Sequence, residues 1–151
     1  MCSPALRRCA PVVLALVAAA CSPAAQGRGD ALPAEPGAVV GYQDLVDALR
    51  VRGHDVDERG SVSQPFLEPE GRRLEVSGEA VQVFEYPSED AARAASSEIS
   101  PDGSEVGETR VRWDETPHWY QRGRLLVLHL GDAPRLSATL GDVMGHQVAG
   151  G

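Results

Sequence analysis

The chain has 151 residues and a formal net charge of −8, and all 14 of its basic residues are arginine. An acidic chain without clusters of basic residues is a poor electrostatic match for nucleic acid or an anionic bilayer surface, so both are set aside as partners. Lysine and asparagine are absent while Ala, Gly, Pro, Arg and Val abound, which reads as the codon bias of a GC-rich bacterial genome.

The amino terminus has the order of an export signal. Arg7 and Arg8 form a positive segment, Pro11 to Val17 an apolar one, and Ala18, Ala19 and Ala20 a small-residue stretch before Cys21. The apolar run is too short to span a bilayer, which takes about 20 residues. The AAAC end resembles the bacterial lipobox, with Ala18 where that pattern has a branched aliphatic residue. The resemblance implies cleavage after residue 20 and acylation of Cys21 by chains such as palmitate. Ordinary secretory cleavage, giving a soluble exported protein, is the alternative. Cys2 and Cys9 lie in the removed segment, so the mature chain keeps only Cys21 and has no internal disulfide. Several acyl chains would hold it firmly, at about 0.8 kcal/mol per buried CH₂.

Residues 22–38 (SPAAQGRGDALPAEPGA) carry little apolar bulk and read as a flexible tether attached to Cys21. Residues 39–151 then suit one small domain. Tyr42, Leu45, Val46 and Leu49 recur at helical spacing, with Gly53 closing the helix. HDVDE (54–58) is a short edge strand, and QPFLEPEG (64–71) a loop that drops Phe66 onto the core. Arg72–Val76 and Ala80–Tyr86 form a hairpin across Ser77-Gly78-Glu79. Ser88 caps a helix to about Ser97 whose inner face is alanine. Ser100-Pro101-Asp102-Gly103 is a turn and 104–109 a loop. Arg110–Trp113 is a strand. Trp119–Gln121 and Arg124–Leu130 form a second hairpin, with RLLVLHL apolar on both faces as in a central strand. Asp132 caps a last helix, with Leu136, Leu140, Val143 and Met144 as its buried stripe and Gly145 at its end.

This order predicts an α+β fold: a mostly antiparallel sheet of five to six strands with about three helices packed mainly on one face. If the other face is open, its apolar groups mark a partner site, unless the QPFLEP loop covers it. EAVQVFEYPSEDAARAAS, SPDG and PHWYQRGRLLVLHLG resemble segments of a recurring type of small bacterial lipoprotein. That resemblance spans most of residues 42–150 and implies no activity.

Chemistry-bearing residues are few. His54, Asp55, Asp57 and Glu58 place an imidazole beside three carboxylates, a set that can ligate metal. No second His stands at ligand spacing, and HExxH, CxxC and calcium-loop patterns are missing. No GxSxG elbow or glycine-rich phosphate loop occurs. No catalytic, cofactor or metal residue is therefore assigned, and no cofactor is expected. His118, Trp119 and Tyr120 are a candidate partner surface, because polar-tipped rings are enriched in recognition sites; the structural alternative packs Trp119 on the core, with Tyr120 on the opposite face and His118 at the loop. His129 reads as a satisfied, partly buried residue of a central strand. The expectation is an exported bacterial cell-envelope lipoprotein, held by a lipid anchor, that presents a non-catalytic binding or scaffolding domain to a protein or small ligand. One alternative is an envelope enzyme or metal-dependent protein using His54 or His118 with nearby carboxylates. The other is an accessory or inhibitory subunit acting through the 117–124 hairpin.

Overall fold

The computed structural model describes residues 39–151; the signal segment, Cys21 and the tether lie outside the described residues. The elements are α1 (Tyr42–Val51), β1 (Val56–Val62), β2 (Gly71–Val76), β3 (Glu79–Glu85), α2 (Glu89–Ser97), β4 (Glu105–Val106), β5 (Thr109–Arg110), β6 (Pro117–Arg122), β7 (Leu125–Leu130), α3 (Pro134–Met144) and β8 (Gln147–Gly150). Six strands form an antiparallel sheet in the order β1-β2-β3-β7-β6-β8, and β4 pairs with β5 in a small second sheet. The fold is α+β, as the alternation of patterns predicts.

β7 lies at the centre, hydrogen-bonded to β3 on one side and β6 on the other. Its alternating side chains supply two cores. Leu125 and Val127 join α1 (Leu45, Val46, Leu49) and α3 (Leu136, Leu140, Val143) on one face. Leu126 and Leu128 join Phe84, Trp119, Leu67, Ala92 and Val106 on the other. Helices α1 and α3 share a face, and α2 lies on the opposite one with the 63–70 loop and the β4–β5 sheet. That second face is covered, and an edge-on aromatic chain crosses it, with Phe66 6.1 Å from Trp113 and Trp113 6.0 Å from Trp119, ring centre to ring centre.

Local chemistry sets the element ends. Ser88 Oγ accepts from the Ala91 N–H at 3.1 Å, capping α2 as its sequence predicts. The β2–β3 turn is Ser77-Gly78, both at positive φ (53° and 92°), the mirror-image turn that matches strand twist. β1 is an edge strand, as expected. It carries a one-residue bulge between Glu58 and Ser61, where Gly60 has φ 93°.

Four local expectations are corrected. Residues 104–109 are not merely a loop, since β4 and β5 fall there. The strand expected at Arg110–Trp113 reaches only Arg110, because Trp113 turns its indole N–H to the Gly103 carbonyl at 2.7 Å. The cap of α3 is Ala133, not Asp132, because Pro134 takes the first helical position. The helix expected to be the last element ends at Gly145 as predicted, but β8 follows it and pairs with β6.

Trp119, the inner member of the aromatic chain, is 0% exposed. Trp119→Ala should lower the unfolding free energy by about 3–5 kcal/mol. Val51, 85% exposed, should tolerate Val51→Ala within about 0.5 kcal/mol. Urea melts of the two variants measure the contrast.

Candidate functional site

His54 is buried, and both ring nitrogens are occupied. Nδ1 lies 3.1 Å from Ser77 Oγ and Nε2 lies 3.0 Å from Thr139 Oγ1. Thr139 already donates its hydroxyl proton to the Arg135 carbonyl at 3.0 Å. Its oxygen therefore accepts from Nε2–H, and Nδ1 accepts from Ser77. Three elements are joined this way: the end of α1, the β2–β3 turn and α3. The neighbouring carboxylates do not converge on the ring. Glu58 accepts from the Tyr42 hydroxyl at 3.0 Å, and Asp57 faces Arg59 at 3.5 Å. Among the described residues, no group of three His, Cys, Asp or Glu side chains is placed to hold a metal.

Within the candidate surface His118, Trp119 and Tyr120, the two larger rings are buried. Trp119 and Tyr120 point to opposite faces of β6 and both belong to the core. Arg122 donates to the Val143 carbonyl at 2.8 Å, satisfying the end of α3, and a Cβ on Gly123 would stand 2.9 Å from the Val40 backbone. Pairing across this hairpin is internal structure. The aromatic-rich composition was a sign of core, because period-two alternation on a strand next to β7 buries both neighbours.

His118 and His129 meet directly. They are register partners across β6 and β7, with rings stacked 5.5 Å apart. His129 is 0% exposed, and neither of its ring nitrogens has a hydrogen-bond partner, which departs from the satisfied histidine expected. Glu79 Oε2 stands 3.7 Å from its Nε2, an ionic approach longer than a hydrogen bond. His118 Nδ1 bonds Gln147 Oε1 at 3.0 Å, and its Nε2 lies 4.0 Å from Asp132. Burial, then the adjacent His118, push the His129 pKa down against the opposing pull of Glu79 and Glu115. Within this packed pair the neutral form of His129 is favoured.

A cavity of about 350 Å³ opens on the other face, near the lower end of the ~300–1,000 Å³ range of ligand pockets. Phe66, Leu67, Tyr86 and Val106 line it from the loop, β4 and the end of β3. Ala91, Ala94 and Ala95 of α2 form a wall, and their short side chains leave the space open. Glu68, Glu98 and Gly107 complete the lining. Tyr86 is 3% exposed and its hydroxyl has no hydrogen-bond partner. Burial, with the Glu68 carboxylate nearby, raises the phenol to about 12, so it stays protonated in neutral solution.

Sequence reasoning missed this site. The alanine face of α2 and the bulky residues of QPFLEP are its visible traces, but their convergence is tertiary. Comparisons with protein-family models, curated proteins and solved structures found no match for the chain.

The histidines generate a pH dependence. His54 is also held below its ordinary pKa, first by burial and then by Arg135. A free imidazole titrates near pH 6.5, so in acid the unfolded chain takes up protons that folded His54 and His129 resist. The stability these neutral rings contribute is present above about pH 6.5 and is lost as pH falls below it. Urea midpoints should drop between about pH 7.5 and about pH 5, and His54→Gln should flatten that slope.

Proposed function

We propose that the protein is an exported bacterial envelope lipoprotein, anchored through Cys21, whose folded domain is a non-catalytic binding module with the α2 cavity as its site. The observation that carries the binding reading is the cavity itself, apolar in its floor and wall, with the Tyr86 ring in its lining. The large apolar residues exposed among the described ones, Val40, Val51 and Val148, are scattered over separate elements, which favours a concave site over a flat protein interface.

The anchoring part rests on the sequence. Among the described residues no helix is long and apolar enough to cross a membrane. Membrane attachment then rests on the acyl chains of Cys21. Cys21→Ala should move the protein from the membrane pellet to the soluble fraction and abolish metabolic labelling with palmitate. A wild-type mature protein that is soluble with a free amine on Cys21 would refute the anchor.

The binding part has a direct test. The neutral apolar fluorophore N-phenyl-1-naphthylamine should bind the wild-type domain in one equivalent. Ala94 is an exposed cavity residue, so Ala94→Phe fills the space at little cost to the fold. That variant should lose about tenfold in affinity or more, with an unchanged circular dichroism spectrum. Equal binding by both proteins would remove the cavity as the site.

A further inference from the structure

We propose that the α2 cavity selects a cationic amphiphile, a small molecule with an apolar body seated on Phe66, Leu67 and Tyr86 and a protonated amine held by Glu68 and Glu98. This inference rests on the reading of the cavity as the binding site and specifies its ligand class.

Two features carry it, and Glu98 belongs to both. The first is the charge of the lining. Its ionisable groups are Glu68, Glu98 and the neutral phenol of Tyr86, with no arginine or histidine among them. The second is the end of α2. A helix carries partial negative charge at its carboxyl end, normally offset by a basic residue. The last turn of α2 has none, and its C-cap is Glu98, one of the lining carboxylates. Arg93, the helix's own arginine, is engaged by Glu89 and Asp90 at 2.5 and 3.3 Å, towards the other end.

The alternatives fit less well. A fatty carboxylate of the same shape would bring a third negative charge to the site with no cation to receive it. A neutral apolar molecule would fill the cavity but leave both carboxylates and the helix end uncompensated. An ammonium group meets all three, and charge-assisted hydrogen bonds are the stronger kind.

The experiment displaces N-phenyl-1-naphthylamine from the full folded domain with hexylamine, hexan-1-ol and hexanoate, which share one chain and differ in head group. Hexylamine should bind about tenfold more tightly than hexan-1-ol, and hexanoate most weakly. High salt should shrink the amine's advantage, since the carboxylates are exposed. Glu68→Gln and Glu98→Gln should each reduce that advantage while leaving hexan-1-ol within about twofold of wild type. Hexan-1-ol or hexanoate displacing the probe as well as hexylamine would overturn the charge selection and leave the cavity as an apolar site. Failure of the neutral probe to bind at all would instead bring down the cavity reading, and this inference with it.

Discussion

The domain depends on the two-sided burial of β7. Leu125, Leu126, Val127, Leu128 and His129 are all sequestered from water, so this one strand anchors both hydrophobic layers. Its backbone is fully engaged by β3 and β6, which meets the requirement that buried peptide groups be hydrogen-bonded. Odd-numbered residues hold α1 and α3, and even-numbered ones hold α2, the aromatic chain and the covering loop. A polar substitution at any of the four apolar positions would disturb a whole layer.

The two faces have different characters. The α1–α3 face is filled by branched side chains and closes tightly, with His54 tying its periphery through two hydroxyls. The opposite face meets a helix whose inner residues are alanine. Alanine lets α2 approach the sheet but cannot reach the edge of the layer, where the 63–70 loop and β4 stand off. The cavity is thus a product of side-chain size, and Tyr86, at the end of β3, lines it.

What could be read from the sequence follows from how local its cause was. α1, α3, the first hairpin and β7 each announce themselves by periodicity, and their packing obeys it. β8 did not, because Gln147–Gly150 has no alternation and becomes a strand only through β6. β4 and β5 are two residues each, below the length at which a pattern exists. Trp119 and Tyr120 admit two readings, since their polar tips suggest a surface and their alternation a core, and their register beside a doubly buried strand places them in the core. The cavity joins residues 66 to 107 through three separate elements, a relation no single window contains. The proximity of His118 and His129 follows from register, which two similar strands do not disclose on their own.

The rims of the sheet carry one more consequence. The outer edge of β1 combines the bulge at Gly60 with Asp57, Glu58 and Arg59, while β8 is only four residues long and ends in Gly150 at φ 88°. Neither rim offers a long, flat row of free peptide groups, and interrupted, charged or short rims resist strand-to-strand accretion. Copies of such a domain crowded together would remain separate bodies, each keeping its cavity accessible.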